Sequence, residues 1–323
     1  MAVTLPVPAT EPTIYFIGVT TARSSILSIF PKWADALNLG RCSIVGIDLA
    51  LHAPAEDYRR VVTFIKTHPL ALGALVTTHK IDLYAACRDL FDVVDPLGAL
   101  LGELSCLAKR DGRLFASALD PATSGLALEA FMPAEHFAKT DGEALLMGAG
   151  GSTIAITWNL SRSKRDRDRP SRMIVSNRSQ PRLDSIARIH RELGVDIPVE
   201  YVLGRSPGDN DAVMARLAPG SLVVNATGLG KDAPGSPITD HARFPDNGYA
   251  WELNYRGDLV FLRQARAAAN KRRLHVEDGW TYFLHGWTRA IAEVFNVAVP
   301  TSGPVFDRLS ELAGGPPLLE RAS

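Results

Sequence analysis

Short apolar runs alternate with longer amphipathic stretches along most of this chain. Each apolar run has the length of a buried strand, and the stretches between them have the period of a helix. This alternation predicts an α/β protein with a mostly parallel sheet. The predicted strands cover residues 13–19, 43–49, 72–77, 113–118, 144–147, 172–176, 222–225 and 249–253, and the predicted helices cover 28–39, 57–68, 81–90, 152–160, 182–193 and 280–295.

Length, composition and charge narrow the class of protein. At 323 residues the chain is long enough for two domains. Hydrophobic residues make up 46% and charged residues 22%, which is the balance of a globular protein. Lys plus Arg and Asp plus Glu both number 35, so no bulk attraction to nucleic acid or to an anionic membrane is expected.

The cysteines and the apolar runs indicate in which cellular compartment the protein is expected. The 3 cysteines have no metal-ligand spacing, so we expect reduced thiols and no metal site. Residues 1–12 lack a signal-peptide pattern, and no apolar run reaches the roughly 20 residues of a membrane helix. We therefore predict a cytoplasmic protein that binds neither nucleic acid nor membranes, as a monomer or a homodimer.

A glycine-rich turn joins the predicted strand 144–147 to the predicted helix 152–160. It reads Gly148-Ala149-Gly150-Gly151, and Thr153 takes the place of the third glycine of a dinucleotide-binding turn. Glycine allows a tight backbone turn and lets a pyrophosphate approach the amides at the helix N-terminus. The strand–turn–helix context therefore predicts a dinucleotide site.

The end of the next predicted strand bears on which dinucleotide binds. An NAD-selective protein carries an acidic residue there to bind the ribose hydroxyls. This chain instead has Asn177-Arg178-Ser179, followed by Arg182. Arginine remains charged and can bind a phosphate through two parallel hydrogen bonds. The pattern predicts NADP as the cofactor.

A second polar turn follows the predicted strand 222–225. It contains Asn225, Ala226 and Thr227 and continues into further glycines. Turns at the carboxyl ends of parallel strands line the cofactor crevice of doubly wound sheets. We therefore predict that Asn225 and Thr227 lie at the cofactor.

Together these motifs resemble those of the shikimate/quinate dehydrogenase family. The turns match that family's GAGG, NRT and NAT motifs in order. Residues 102–120 align without gaps onto its GAVNT…DG…NTD run. Residues 76–80 are similar to its VTxPHK signature, shortened by one residue and without the proline.

The resemblance runs from about residue 14 to residue 295 and implies an architecture. It implies an N-terminal α/β substrate domain and a C-terminal Rossmann NADP-binding domain, with a cleft between them. On this basis residues 1–121 form the substrate-binding catalytic domain, with C-terminal helices in 278–323 packing back on it, and residues 122–277 form the NADP-binding domain.

The resemblance also implies roles for single residues. Lys80 and Asp120 fall on the lysine and aspartate that the family uses at the reacting carbon. Hydride addition to a ketone creates an alkoxide that needs a proton, so we expect Lys80 to be the acid–base group and Asp120 to orient it. Thr77 and Tyr255 match residues that the family places at the substrate, and Gly279 is expected at the cofactor.

The match weakens at the substrate end. Ser24 matches the first serine of the family's carboxylate-binding pair, but Ile26 occupies the second position. Ser105 replaces the asparagine of GAVNT, and Gly286 stands where the family has a substrate-binding glutamine. The neighbouring His285 is predicted either to replace that glutamine or to pack as a helix histidine. Since each lost hydrogen bond is worth about 1 kcal/mol, we expect a relative of shikimate or quinate as substrate.

The leading hypothesis is an NADP-dependent oxidoreductase. It would interconvert a ring ketone and a secondary alcohol on a small cyclic polyol or hydroxy acid. The alternatives are shikimate 5-dehydrogenase proper, a non-catalytic sensor that binds NADP or a metabolite, and a folate-linked methylene dehydrogenase, which shares the two-domain plan but not these motifs. Retention of both Lys80 and Asp120 argues against the sensor.

Overall fold

The computed structural model describes residues 3–162, 168–231 and 233–314. Their contacts form two compact units. Unit 1 contains the residues up to Asp120 and those from Leu284 onward, and unit 2 contains the residues from Pro121 to Phe283. The last part of the predicted C-terminal segment, residues 315–323, lies outside the described residues.

Strands and helices alternate along both units. The strands are β1 Thr13–Gly18, β2 Ser43–Asp48, β3 Ala71–Val76, β4 Val93–Val94, β5 Cys106–Arg110, β6 Arg113–Ser117, β7 Ala144–Met147, β8 Met173–Asn177, β9 Val199–Leu203, β10 Leu222–Asn225, β11 Tyr249–Glu252 and β12 His275–Glu277. The helices are α1 Ile26–Ala36, α2 Ala55–Thr67, α3 Lys80–Cys87, α4 Pro96–Leu101, α5 Asp120–Phe131, α6 His136–Thr140, α7 Gly151–Ser161, α8 Gln180–Glu192, α9 Pro207–Met214, α10 Val260–Arg272, α11 Trp280–Phe295 and α12 Pro304–Leu312, with 3-10 turns at Thr21–Arg23 and Arg88–Leu90. Within the described ranges, no helix combines the length and apolarity needed to cross a membrane.

Unit 1 is built on a mixed sheet in the order β2-β1-β3-β5-β6-β4. β1 pairs in parallel with β2 and β3, while β5 is antiparallel to both β3 and β6. The buried core on this sheet includes Tyr15, Ile17, Val61 and Leu107. The α/β class is confirmed, and β5 adds an antiparallel strand that the sequence analysis did not predict.

The unpredicted strand forms a hairpin with β6. Asp111 and Gly112 connect the two strands, and both have positive φ, 51° and 75°. An Asp-Gly pair with two left-handed residues is the type I′ turn that suits the twist of a two-residue hairpin. The Asp-Gly pair is therefore a local sequence signal for this hairpin, which the pattern of apolar residues does not contain.

Unit 2 carries a fully parallel sheet in the order β9-β8-β7-β10-β11-β12. Counted from the start of the unit, this is the 3-2-1-4-5-6 order of dinucleotide-binding folds. The chain leaves β7 toward one side of the sheet and β10 toward the other. Ligands of such sheets bind at this switch point, beyond the carboxyl ends of the two strands.

Both faces of the unit 2 sheet are covered. Along β7, Ala144 and Leu146 belong to one buried cluster, while Leu145 and Met147 belong to another. Successive strand residues point to opposite faces, so a strand buried on both sides reads as a continuous apolar run. This explains why residues 144–147 were recognisable in the sequence.

A buried histidine links α8, α7 and β9 in unit 2, where α7 is the helix that follows the first strand of the parallel sheet. His190 on α8 is hydrogen-bonded through Nε2 to Thr157 Oγ1 on α7 and through Nδ1 to the Tyr201 hydroxyl on β9, both at 2.8 Å. Burial lowers the pKa of His190 to about 4, because the charged imidazolium would lose its hydration there. The network holds α7, the helix that follows the glycine-rich turn, against the sheet.

We expect this network to make the free energy of unfolding of unit 2 decrease as the pH falls. The pKa of His190 lies below its value in the unfolded chain, so its contribution is complete above about pH 6.5 and is lost as the pH falls toward 4. The loss between about pH 7 and pH 4 is on the order of 3 kcal/mol. Urea unfolding of His190→Gln at both pH values should lack this component, whereas His241→Gln, at an exposed site in the same unit, should behave as wild type. An equal acid dependence in His190→Gln and wild type would contradict the prediction.

Candidate active site

The sheet of unit 1 brings the candidate catalytic residues to one edge. β3 and β6 are both antiparallel to β5, so they run in the same direction and their carboxyl ends lie at the same edge. Ser105 bridges those ends, since its carbonyl accepts from Val76 N at 2.8 Å and its N–H donates to the Ser117 carbonyl at 3.0 Å. The chain then enters α3 and α5, whose first residues are Lys80 and Asp120.

Lys80 and Asp120 form a buried ion pair. The Lys80 ammonium donates to Oδ2 of Asp120, and the two side chains are only 15% and 9% exposed. Burial by itself lowers the pKa of Lys80, but the negative charges of Asp120 and Glu103 outweigh it, so the pKa of Lys80 is raised. Lys80 is therefore an ammonium at neutral pH, with a carboxylate against it.

Glu103 is a third ionisable residue at this edge, and the sequence analysis missed it. Its side chain is fully buried, and neither carboxylate oxygen has a hydrogen-bond partner among the described residues. Burial raises the pKa of Glu103 to about 8; the charge of Asp120 adds to the rise and that of Lys80 opposes it. The available signal was the glutamate at the alanine position of the GAVNT motif.

Three predicted substrate-binding residues carry hydroxyl groups at the same sheet edge. Ser24 ends the 3-10 turn after β1 and is buried. Thr77 follows β3 and donates its hydroxyl to the Ile17 carbonyl at 3.2 Å. The Ser105 hydroxyl accepts a hydrogen bond from Leu119 N at 2.7 Å, which fixes the chain just before Asp120.

The other two predicted substrate residues have aromatic surroundings. In unit 2, the Tyr255 ring lies 4.3 Å from the Phe283 ring and 6.2 Å from the Trp280 ring, between centroids. In unit 1, the buried His285 ring stacks on Phe306 at 4.6 Å. Burial lowers the pKa of His285 to about 4, and its Nδ1 has no partner in the described part of the chain. The contact with Phe306 favours the packing interpretation, and a substrate role for His285 stays a prediction.

The glycine-rich turn lies at the switch point of the parallel sheet. Gly148 has φ 114°, and a Cβ there would lie 2.6 Å from the Ala226 carbonyl, so only glycine fits. Gly150, the N-cap of α7, faces open space instead, since a Cβ there would have no heavy atom within 4 Å. Ala149 is buried behind the turn, and Gly151 begins the helix. The first N–H groups of a helix lack intrahelical partners, so this turn fits a pyrophosphate.

The candidate phosphate-binding arginines follow the neighbouring strand. The Ser176 carbonyl of β8 accepts from Gly148 N at 2.8 Å, so the two turns lie side by side. Asn177 Oδ1 accepts from Ser179 N at 2.8 Å and closes the turn. Arg178 is exposed, Arg182 is half-buried, and neither forms an ion pair within the described residues. Both guanidinium groups therefore remain available to an anion.

A hydrogen-bond network fixes the turn that follows β10. Asn225 is fully buried; its Oδ1 accepts from Thr227 N and Oγ1, and its Nδ2 donates to Glu252 Oε2 at 2.7 Å. Glu252 Oε1 in turn accepts from the N–H and the Nδ2 of Asn254. Burial raises the pKa of Glu252 to about 7 in spite of these bonds. Asn225 therefore shapes the turn, and Glu252 and Asn254 are further members that the sequence analysis missed.

Gly279 permits a close approach of two backbone segments in unit 2. A Cβ at this position would lie 2.1 Å from the Leu253 carbonyl. The Gly279 N–H donates to the Asn254 carbonyl at 3.2 Å. The glycine thus keeps the start of α11 beside the end of β11.

The sequence has a curated relative of nearly the same length. A shikimate dehydrogenase (NADP(+)) from Sphingopyxis alaskensis is 25% identical over 298 residues, which cover 92% of this chain and 95% of that protein. No protein-family model matches the chain.

Solved structures share the fold at lower identity. A quinate dehydrogenase from Corynebacterium glutamicum in complex with NAD has a TM-score of 0.69 and 19% identity, covering 94% of this chain and 98% of that one. A shikimate 5-dehydrogenase from Thermus thermophilus, in complex with NADP(H) and shikimate, has a TM-score of 0.63 and 22% identity, covering 93% and 99%. In sequence this chain is therefore similar to a shikimate dehydrogenase, and it shares its fold with solved shikimate and quinate dehydrogenases.

Proposed function

We propose that this protein is an NADP-dependent dehydrogenase that interconverts a ring ketone and a secondary alcohol. Its substrate is a small cyclic polyol or hydroxy acid related to shikimate. The buried Lys80–Asp120 ion pair carries the proposal, because it presents a proton donor and its counter-charge at one sheet edge. The curated relative from Sphingopyxis alaskensis, a shikimate dehydrogenase (NADP(+)), supports the reaction class.

The chain's own residues manage the proton of this reaction. Bound NADPH supplies a hydride to the carbonyl carbon, and the oxygen that gains charge must then gain a proton. Lys80 starts as an ammonium because its pKa is raised, so an N–H bond of Lys80 breaks as the new O–H bond forms. Asp120 holds the ammonium in place and stabilises its charge. In the oxidation direction the same proton returns to Lys80.

The cofactor proposal rests on the two turns of unit 2. The open space at Gly150 leaves room for a pyrophosphate at the start of α7. The strand end beside it carries Asn177 where an NAD-selective protein has an acid. Arg178 and Arg182 supply positive charge for a 2′-phosphate. These features together favour NADP.

The substrate proposal rests on the residues near the ion pair. Ser24, Thr77 and Ser105 offer hydroxyls, which suit a polyol, but the amide side chains that the family has at positions 105, 118 and 286 are absent. We therefore propose a relative of shikimate as the substrate. The curated relative makes shikimate itself the second candidate.

Replacement of the acid–base group tests the mechanism. With NADP, the reduced-nicotinamide absorbance is followed on shikimate, quinate and a panel of cyclic polyols and amino-polyols. On the compound that the wild type turns over, Lys80→Ala should lower kcat by about a hundredfold or more while NADP binding is unchanged. Lys32→Ala, at an exposed site in the same unit, should behave as wild type.

The outcomes of that assay separate the candidate functions. Turnover of a panel member without turnover of shikimate supports a dehydrogenase whose substrate is a relative of shikimate. Rapid turnover of shikimate would make the protein a shikimate dehydrogenase. Normal turnover in Lys80→Ala would remove the acid–base assignment, and NADP binding without turnover of any compound would favour a sensor.

A methyl group at the open glycine tests the pyrophosphate site. Gly150 has φ −100°, which alanine adopts readily, and a Cβ there would have no neighbour within 4 Å, so Gly150→Ala should fold normally. The methyl group would occupy the approach to the helix N-terminus, so NADP affinity measured by calorimetry should fall at least about tenfold. Gly286→Ala, which also has open space, should bind NADP as wild type does. Unchanged affinity in Gly150→Ala would place the pyrophosphate elsewhere.

Loss of one arginine tests the choice between NADP and NAD. Arg178→Ala removes charge-assisted bonds to a 2′-phosphate, which are worth roughly 1.5–3 kcal/mol. The Kd for NADP should rise by about ten- to a hundredfold, while the Kd for NAD should change little. Arg188→Ala on α8, which pairs with Glu192 at the surface, is the matched control. Equal weakening of both cofactors would remove the case for a phosphate site.

A further inference from the structure

Glu103 sits at the sheet edge that carries the ion pair. It lies between the left-handed Gly102 that ends α4 and the first residue of β5. Its N–H donates to the Gly98 carbonyl at 3.3 Å, and the next residue, Leu104, donates its N–H to the Lys80 carbonyl at 3.2 Å. The backbone of this segment is therefore joined directly to the start of the helix that carries Lys80.

The side chain of Glu103 is unusual because it is buried without partners. Its exposed fraction is 0%, and neither carboxylate oxygen accepts or donates a hydrogen bond within the described residues. An ionised carboxylate in such a place lacks the solvation that water or hydrogen bonds would give it. An ionised Glu103 therefore costs stability unless a nearby charge compensates it.

The charged groups that act on Glu103 come from two neighbouring helices. They are Lys80 at the start of α3 and Asp120 at the start of α5. A third carboxylate, Asp95, caps α4, the helix that precedes Glu103. Its oxygens accept hydrogen bonds from Gly98 N and Ala118 N. Glu103 is thus coupled to the ion pair and not to a structural partner.

We infer that Glu103 is a third ionisable member of the Lys80–Asp120 site, a positioning residue that controls how strongly Lys80 holds its proton. When Glu103 is protonated, the three side chains carry no net charge. When it is ionised, they carry a net charge of −1, and a second carboxylate then stabilises the ammonium. The role of this control in turnover rests on the proposed function, but the coupling itself belongs to the protein without substrate.

The coupling has a definite sign. Burial raises the pKa of Glu103 to about 8, so its charge changes near that pH. Below this pH the Lys80 proton is held by Asp120 alone and is released more easily to a substrate oxygen. Above it, both carboxylates hold the proton. Wild-type turnover should therefore show an inflection near this pH that a neutral residue at the same position removes.

Two measurements without substrate or cofactor test the inference on the full chain. In an infrared pH titration, the wild type should show the carbonyl band of a buried protonated carboxyl that disappears near pH 8, and Glu103→Gln should lack it. In competitive labelling with an amine-specific reagent at about pH 9, read by peptide mass spectrometry, Lys80 should react about tenfold faster in Glu103→Gln, because loss of one nearby negative charge lowers a lysine pKa by about one unit.

The control variants remove carboxylates that lie away from the Lys80–Asp120 pair. Glu56→Gln removes an exposed carboxylate from unit 1 and should leave both readouts unchanged. Glu252→Gln removes the other buried glutamate with a raised pKa, so it should delete a different infrared band and leave Lys80 labelling unchanged. Lys32, exposed in the same samples, is the internal reference for labelling.

Three outcomes would overturn the inference. One is equal Lys80 labelling in the wild type and Glu103→Gln, and another is survival, in Glu103→Gln, of the infrared band that disappears near pH 8 in the wild type. The third is loss of folding in both Glu103→Gln and Glu103→Ala, because that would make Glu103 a structural residue. Failure of the proposed function would appear instead as absent turnover with both substrate-free readouts intact.

Discussion

Lys80 and Asp120 bring opposite charges together in a part of unit 1 from which water is largely excluded. Two charges taken out of water lose several kcal/mol of hydration each, and an apolar pair of similar size would often stabilise a fold as well or better. The backbone brings the two residues together. Ser105 is hydrogen-bonded to the ends of both β3 and β6, and the helices that follow these strands begin with Lys80 and Asp120. The geometry of unit 1 thus holds two opposite charges in contact at one sheet edge, at a cost in hydration.

A comparable constraint shapes unit 2, where it is imposed by backbone and not by charge. The β7 and β10 turns come so close that Gly148 cannot carry a side chain. Asn225 and Glu252 hold the second turn through hydrogen bonds that remain inside the protein. At Gly150, the N-cap of α7, the turn leaves open space. The rigid part of the switch point therefore frames a small region in which a ligand phosphate can meet backbone amides.

The features that could be predicted from sequence are those whose cause is local. The 148–151 turn was recognisable because strand, glycines and helix follow one another along the chain, and the parallel strands because burial on both faces leaves continuous apolar runs. Glu103 and Glu252 were missed because their significance depends on partners far along the chain. His285 shows the same limit, since only the packing of α12 reveals the stacking on Phe306.

Glu103 and Glu252 show how partners decide the role of a buried carboxyl group. Glu252 accepts three hydrogen bonds from Asn225 and Asn254, so its oxygens are occupied in holding two turns, and its raised pKa is a by-product of burial. Glu103 has equal burial but no hydrogen-bond partner in the described residues, and the charges that act on it are those of the ion pair. Protonation of a carboxylate whose oxygens accept such bonds disturbs its donors, so a change of charge at Glu252 acts on the two turns that it holds. A group without such bonds can change charge with little rearrangement, which is the property required of a residue that controls a neighbouring proton donor.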